Sequence, residues 1–362
     1  QDKGDYEQAE AYYKRCLEAR ERLLGPEHPD TLTTVGNLAA LFQYKGDYEQ
    51  AEAYYKRDLE ASERLLGPEH PNTLTTVGNL AGLFQDKGDY EQAEAYYKRC
   101  LEARERLLGP EHPDTLTTVG NLASLFQDKG DYEQAEAYYK RCLEARERLL
   151  GPEHPRTNHT RCGLANLLSD QERYDESIPM RRIELDVAAK RDGHDAAGTL
   201  TSIHHLAEDL YWNDELQESE QLYREALAGR ITALGDDDGA TMASRYGLAR
   251  CLSKQQRYDE AIELRRIELA WCQTNDDLDA KEMLISMHGL GCDLLAYGET
   301  EEALEMLQSC LIQRQQALGT GDDDTLESLF MVLKALSTLS KQPEALALLQ
   351  EAQRALTAEL GE

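Results

Sequence analysis

The sequence contains no apolar run of about 18 residues, the length that a bilayer-spanning helix requires. It is also short of basic residues, since Lys and Arg total 39 against 69 Asp and Glu, which gives a formal net charge of −30. A surface of that charge repels phosphate backbones and anionic lipid headgroups. The composition therefore argues against nucleic acid and membrane partners and favours a neutral or basic protein as partner.

Large aromatic residues and paired cysteines are scarce as well. Only 4 Phe and 2 Trp accompany the 19 Tyr, which is little for one large core but enough for a stack of thin two-helix layers. The eight cysteines are scattered along the chain without a CxxC pair. This usage is typical of a reduced, intracellular protein, and we expect a cytoplasmic location.

Internal repetition, by contrast, runs through the whole sequence with a period of 42 residues. Residues 46–87 and 88–129 differ at only four positions. Residues 1–155 are therefore interpreted as near-identical units, the first of them only half present, and residues 156–362 as divergent units of the same period in one continuous array. Because the first unit lacks its first helix, we expect the chain to be part of something longer.

Each unit carries two helical patterns, here named helix A and helix B. Gly46 ends helix A, Asp47 caps helix B, Gly67 stops helix B, and His70 opens the next hairpin. Neither helix can bury its apolar stripe alone, so the pattern predicts an all-α fold, an α-solenoid of stacked antiparallel helix hairpins. The stripe of helix A is Leu32, Val35, Leu38, Ala39 and Phe42, and that of helix B is Ala51, Tyr55, Leu59 and Leu66.

The spacing of small and aromatic residues at Ala39, Ala51 and Tyr55 resembles the tetratricopeptide consensus, extended from about 34 residues to 42. The segments 66–73 (LGPEHPNT) and 79–81 (NLA) are similar to the long repeats of kinesin light chains and nephrocystin-3-type proteins. The resemblance implies a right-handed superhelix in which A helices line the concave groove. It also implies a protein-binding scaffold or adaptor.

The face of helix A that lies outside the core repeats the same polar residues three times. Asn and Gln offer both a donor and an acceptor, so this ladder can pair with the backbone of an extended peptide. The resemblance places the asparagines where the family grips peptides, while the alternative is that they only bond neighbouring helices. No Lys or Arg occurs on this face, so a C-terminal carboxylate is not expected as the ligand. The candidate residues are Thr33, Asn37, Gln43, Thr75, Asn79, Gln85, Thr117, Asn121 and Gln127.

In the divergent units the same face becomes aromatic and basic, with residue types that dominate protein interfaces. We expect side-chain-specific recognition there, the alternative being that these residues pack within the superhelix. The candidates are His204, His205, Trp212, Tyr246, Arg250 and Lys254.

The divergent units also alternate, because residues 173–185 recur in modified form 84 residues later as 257–269. This predicts a two-hairpin super-repeat with a surface of its own. Asp58, Glu184 and Glu268 fall at a position that is otherwise small and apolar. Either they pair with a nearby Arg or the helix turns there.

The residues with reactive or metal-binding side chains have structural explanations in this sequence. We interpret the repeated His of the His-Pro turns as turn residues, the Cys at one position per repeat as core packing, and the Asp runs 236–238 and 322–324 as helix caps. No phosphate-binding loop and no hydrolase or metalloprotease motif occurs. We therefore predict no enzyme, no metal and no cofactor.

The predicted function is a scaffold that binds a peptide or partner protein in the groove. The alternative is a structural subunit or the sensor arm of a nucleotide-switch assembly that uses convex or edge surfaces.

Overall fold

The computed structural model describes residues 3–275 and 280–360, and within them all regular secondary structure is α-helical. The chain divides into two compact units, residues 1–173 (unit 1) and 174–362 (unit 2), and each is a stack of antiparallel helix hairpins. This confirms the predicted tetratricopeptide-type fold. The sequence boundary at residue 155 reflects repeat identity and stays a prediction.

Helices α1 to α8 form unit 1, and α9 to α17 form unit 2. Even numbers are A helices and odd numbers are B helices. Unit 1 comprises α1 (Lys3–Leu24), α2 (Pro29–Tyr44), α3 (Tyr48–Leu66), α4 (Pro71–Asp86), α5 (Tyr90–Leu108), α6 (Pro113–Asp128), α7 (Tyr132–Leu150) and α8 (Pro155–Asp170). Unit 2 comprises α9 (Tyr174–Asp192), α10 (Ala197–Trp212), α11 (Leu216–Leu234), α12 (Gly239–Lys254), α13 (Tyr258–Thr274), α14 (Ala280–Tyr297), α15 (Thr300–Leu318), α16 (Asp323–Thr338) and α17 (Gln342–Leu360). No helix in the described ranges is long and apolar enough to cross a membrane.

The turns form as the sequence predicts. His70 caps α4, its Nδ1 accepting a hydrogen bond from the Asn72 amide at 3.2 Å, and Pro71 occupies the first helical position. Asp47 caps α3 by accepting from the Gln50 amide. Gly67 ends α3 with a φ of 96°, which a residue with a Cβ rarely adopts. The acidic runs are caps too, since Asp238 accepts from the backbone at the start of α12.

The core of unit 1 is the predicted pair of stripes. Val35 and Ala39 are fully buried, and Phe42 stacks on Tyr54 with ring centroids 5.6 Å apart. The prediction for Leu66 was wrong, because 38% of its surface is exposed. Helix α3 has 19 residues and α4 only 16, so the last turn of the B helix extends beyond the A helices that cover the rest of it.

Ion pairs in a regular ladder join each repeat of unit 1 to the next on the solvent side. Lys87 Nζ lies 2.5 Å from Glu52, and at the end of unit 1 Arg173, two residues beyond the lysine register, forms the equivalent pair, 2.6 Å from Glu136. The hydrogen bonds from Arg173 lower the pKa of Glu136 to about 2. The other members of the ladder are Lys45–Glu10 and Lys129–Glu94.

Buried charges explain the alternation seen in the sequence of unit 2. Arg181 lies 3.3 Å from Glu184 and 3.2 Å from Asp209, and all three side chains are buried. Glu184 therefore pairs with an arginine, which was one of the two alternatives that the sequence left open. Asp58, in the same register, bonds instead to two hydroxyl groups, those of Thr76 and Ser62.

Candidate functional site

The three predicted asparagines of unit 1 are exposed on successive A helices, α2, α4 and α6. Burial raises the pKa of the Tyr97 hydroxyl, and its interaction with Asn121 opposes that rise. Asn37 and Asn79, by contrast, form no hydrogen bond to any residue that the structure describes. Their amides are therefore available to an outside donor or acceptor. We call these three residues the asparagine row.

The glutamines predicted for the same face form bonds between repeats. Gln43 donates to the Asp86 carboxylate at 2.6 Å and accepts from the Tyr55 hydroxyl at 3.2 Å. The corresponding bonds are Gln85 to Asp128 at 2.5 Å and Gln127 to Asp170 at 2.7 Å.

The threonines of the face bond to their own helices. Thr33 donates to the carbonyl oxygen of Pro29 at 3.0 Å, one turn earlier. Thr75 and Thr117 repeat this bond with Pro71 and Pro113. The Gln and Thr side chains thus hold local structure, and the asparagine row remains the available polar feature.

A cavity of about 630 Å³ opens at the end of this row, between α6, α7 and α8. We call it the N-terminal cavity. Thr117 and Asn121, two of the candidate residues, both line it, so the structure brings them together. The other polar groups in its wall include Tyr139, Arg146 and Arg156, none of which the helix A pattern had indicated.

The two arginines correct the expectation of a groove without basic residues. Arg146 is only 7% exposed, and its Nη1 donates to the Arg156 carbonyl at 3.1 Å and to Thr160 Oγ1 at 2.6 Å. No carboxylate among the described residues forms an ion pair with it. The charge of Arg146 is therefore balanced by neutral oxygens alone. The same two bonds occur at Arg20, Arg104, Arg230 and Arg314.

In unit 2 four of the predicted residues converge. The Arg250 guanidinium lies 4.8 Å from the ring centroid of Trp212 and 5.4 Å from that of Tyr246, within the range of cation–π attraction. Lys254 lies 4.9 Å from the Tyr211 ring, which also faces Arg250 at 4.4 Å. Tyr211, Trp212, Tyr246, Arg250 and Lys254 form what we call the arginine–aromatic cluster, and 51% of the Trp212 surface remains exposed.

The repeat pattern did not indicate Tyr211, because the same register holds Gln in unit 1. The aromatic type at that position, next to Trp212, was the signal that could have found it.

The two histidines lie apart from this cluster and pack between helices. The His204 ring stands edge-on to buried Tyr223 with centroids 5.4 Å apart, and its Nδ1 lies 3.5 Å from Ser244 Oγ. Burial lowers the pKa of His204 to about 3, and it also lowers the pKa of His205. Both rings are thus neutral near pH 7, and their contacts are those of side chains packed between helices.

The 42-residue period, the capped hairpins and the repeated core now identify the family. Tetratricopeptide repeat models match residues 1–60, 32–106, 73–147, 114–182 and 196–266, and a second tetratricopeptide repeat model matches 283–324. The chain belongs to the tetratricopeptide repeat family. No curated protein matches its sequence significantly.

Solved structures of this tetratricopeptide repeat protein's neighbours agree with that assignment. The nearly identical repeats attributed to a Podosopora anserina kinesin light chain are 23% identical, with a TM-score of 0.51, over 57% of this chain and 98% of that one. The quorum sensor NprR from B. thuringiensis, in its apo form, is 14% identical, with a TM-score of 0.67, over 97% and 94%. The tetratricopeptide sensor protein PH0952 from Pyrococcus horikoshii, a signal transduction ATPase, is 15% identical, with a TM-score of 0.66, over 95% and 52%. Identities this low show a shared fold.

Proposed function

We propose that this tetratricopeptide repeat protein is a non-catalytic scaffold that holds an extended peptide segment of a partner protein along the A-helix face of unit 1. The asparagine row carries the proposal, because the same amide is exposed in three consecutive repeats while the neighbouring Gln and Thr side chains are bonded internally. A side-chain amide offers one donor and one acceptor, which match the C=O and N–H of a peptide unit. Asparagines in register can thus bind a backbone whatever its side chains are.

The N-terminal cavity adds a preference to this mode of binding. Arg146 and Arg156 line it, and Arg146 has no carboxylate partner among the described residues. A carboxylate accepts charge-assisted hydrogen bonds from guanidinium groups. The best ligand is therefore a mostly neutral or basic segment, suited to a chain of net charge −30, with one acidic side chain that enters this cavity.

Selection from a random peptide library displayed on phage tests the proposal and does not require the partner to be identified. Peptides selected on the wild-type chain are then titrated against the triple variant N37D/N79D/N121D. Because Asp cannot donate a hydrogen bond and adds negative charge, we expect at least a hundredfold loss of affinity, measured by calorimetry.

The chain supplies its own control for this experiment. Asn72 lies in the first turn of α4, two turns before Asn79, and the equivalent residues of other repeats are Asp30 and Asp114, so this position accepts a carboxylate. N72D adds one negative charge, as each single substitution of the triple variant does, and should leave the affinity unchanged. Selected peptides that bind the triple variant and the wild type equally would refute the groove assignment.

The arginine–aromatic cluster is proposed as a second contact surface for the partner protein. Trp212 is half exposed and held against Arg250, so it presents a rigid aromatic surface of the kind that anchors interfaces. W212A should weaken binding of the intact partner about tenfold or more. It should not change the affinity for the short peptides selected on unit 1.

A second candidate function is that of a sensor arm or structural subunit within a larger assembly. It is favoured by the fold shared with the tetratricopeptide sensor of the Pyrococcus ATPase over 95% of this chain. A nucleotide-binding module in the same open reading frame would support it, and the library selection would then yield no peptide that depends on the asparagine row.

The proposal includes a cytoplasmic location and excludes nucleic acid as the partner. All eight cysteines lie in the described residues and are free thiols, as expected in a reducing compartment. The net charge of −30 disfavours polyanions. No cofactor is required for the proposed binding.

A further inference from the structure

A second cavity, of about 470 Å³, lies in unit 2 between α12, α13 and α14. We call it the C-terminal cavity. It occupies the same register as the N-terminal cavity, three repeats further along the chain. Ala243 and Tyr246 correspond to Thr117 and Gly120, and Ser286 corresponds to Thr160.

The charge in this register is reversed between the two cavities. The N-terminal cavity has Arg146 and Arg156 in its wall, and the same positions in the C-terminal cavity are Cys272 and Glu282. In addition, the buried cysteine of the first cavity's B helix is replaced by Glu268 in the second. A wall that favours anions has become one that favours cations.

Glu268 is the unusual group. It is only 6% exposed, and one carboxylate oxygen accepts from the Ser286 hydroxyl. The other oxygen, Oε2, has no hydrogen-bond partner among the described residues. A buried carboxylate oxygen without a hydrogen-bond partner destabilises the folded state, so such an atom calls for an explanation.

The equivalent acid one super-repeat earlier shows what is missing. Glu184 uses both oxygens, one on Ser202 at 2.9 Å and one on Arg181 at 3.3 Å. At Glu268 the corresponding arginine, Arg265, binds an acid of the next helix as Arg181 does, but it forms no ion pair with the glutamate, and its Nη1 has no hydrogen-bond partner among the described residues. Arg265 binds Asp293 at 2.6 Å, and its guanidinium fills the space beside Gly289 that a Cβ would occupy.

A second arginine near the carboxylate also pairs with another acid, although its Nε has no hydrogen-bond partner among the described residues. Arg245 on α12 pairs with Asp236 at 2.9 Å. Each of the two arginines is paired with another acid, and although their charges act on Glu268, neither forms an ion pair with it. Burial raises the pKa of Glu268, and a cation placed in the cavity would stabilise its ionised form.

The rest of the wall suits an apolar stem that carries such a cation. Tyr246 and Trp271 supply aromatic faces, and Met242 and Ile285 supply aliphatic surface. Aromatic faces attract cations, and aliphatic surface favours methylene groups. The opening also bears Glu282, which has the right sign to attract the cation.

From this juxtaposition we propose that the C-terminal cavity binds a primary alkylammonium group, with the ammonium at Glu268 and its methylene stem between Tyr246 and Trp271. The shared chemistry has two possible sources, a lysine side chain of a bound protein or a free alkylamine. The site lies in unit 2 and stands independently of the peptide groove proposed in unit 1.

Hexylamine is the first probe, and 1-hexanol is its neutral counterpart of nearly the same size. In a W212F background Trp271 is the only indole, since the chain has 2 Trp, and its fluorescence reports on the cavity wall. We expect saturable quenching or enhancement by hexylamine, and at least tenfold weaker binding of 1-hexanol. E268Q should lose at least tenfold in affinity for hexylamine.

E184Q is the matched control, because it makes the same change in the same register, at an acid whose oxygens are already bonded. It should leave hexylamine binding unchanged. Equal binding of hexylamine and 1-hexanol to the wild type would overturn the proposal, and this comparison does not depend on the folding of any variant. Unchanged binding by folded E268Q would overturn it too.

Nα-acetyl-lysine methylamide distinguishes the two sources. Binding that is competitive with hexylamine and lost in E268Q indicates a lysine side chain as the ligand. Binding of hexylamine without binding of the lysine derivative supports the site and indicates a free alkylamine. Loss of peptide binding in N37D/N79D/N121D with retained hexylamine binding would show that the two sites act separately.

Discussion

At the scale of single residues, one position of helix A decides how closely a B helix can approach. In unit 1 it is held by the asparagine row, and in later repeats it is held by glycine at Gly163 and Gly247. A Cβ at residue 247 would overlap the ring of Tyr223, which is 1% exposed. Glycine is required there because the tyrosine ring fills the space of a side chain.

G247A should therefore destabilise the protein by about 1–3 kcal/mol, the usual effect of overfilling a packed site. G78A makes the same change in a helix where a Cβ would meet nothing within 4 Å, and it should stabilise by about 0.5–1 kcal/mol because alanine favours the helix. Urea unfolding measures both. A stabilising G247A would contradict the close contact with Tyr223.

The residue scale also shows how far the sequence alone could define the site. It placed Asn37 and Gln43 on one exposed face and assigned both to the ligand. In the structure the two side chains differ, because Gln43 donates a hydrogen bond to Asp86 of the next repeat and Asn37 does not. A bond between residues 43 apart in the chain depends on how one hairpin docks on the next, and the pattern within one repeat does not contain that information.

At the scale of helices, the super-repeat of unit 2 exchanges apolar packing for buried charge. Asp209 stands in α10 at the position of Leu83 and Leu125, and it binds Arg181 of α9. The sequence indicated the 84-residue alternation. It also left two alternatives for the acids at the small apolar position: an ion pair with a nearby Arg, or a turned helix. It could not show that Asp209 was the second acid, since a lone Asp on an apolar stripe gives no indication of its partner.

D209L should destabilise by about 3–5 kcal/mol, because it leaves a buried arginine with one acid fewer. The combined variant R181M/E184Q/D209L removes the buried charges together and should regain most of that loss. Chemical denaturation of the wild type and both variants gives the comparison. If the combined variant is as unstable as D209L alone, the cost does not arise from unpaired charge.

The ladder of ion pairs that joins each B helix to the turn of the next hairpin has a predictable pH dependence. The pKa of Glu136 is lowered from 4.5 to about 2 by Arg173, so the folded state holds the ionised form more tightly than the unfolded state does. This stabilisation is complete above pH 4.5 and disappears as the pH falls towards 2. E136Q should therefore be less stable than the wild type by roughly 0.5–1 kcal/mol at pH 7.

The difference between wild type and E136Q should shrink steadily as the pH is lowered from 4.5 to 2. Urea titrations at a series of pH values measure it. A difference independent of pH would mean that Glu136 acts through packing and that its ion pair with Arg173 contributes nothing.

At the scale of the whole molecule, the fold follows from periodicity and was predictable. The 42-residue register, the glycine stops and the histidine caps define each hairpin locally, and stacking follows because neither stripe is buried alone. The two cavities were not predictable in this way. Each needs a B-helix residue, Arg146 or Glu268, to reach between two A helices, and the groove was sought on the A helices alone.

Removal of one whole repeat should preserve this architecture. Deletion of residues 46–87 joins Lys45 to Gly88 and restores the natural Lys-Gly junction. We expect unchanged ellipticity per residue and a lower unfolding midpoint, because stability in repeat arrays sums over interfaces. Loss of helical signal in circular dichroism would show that the repeats of unit 1 are not interchangeable.

The near-identical contacts between the repeats of unit 1 have a consequence for the evolution of the gene. A gene that encodes such repeats can misalign with its own copy during recombination by one period and gain or lose 42 codons in frame. We expect the protein to tolerate the result, because the lysine of a duplicated repeat would meet the same glutamate that Lys87 contacts. Each such event would add or remove one asparagine of the row. The length of peptide that the row can contact could therefore change one repeat at a time, without the evolution of a new binding surface.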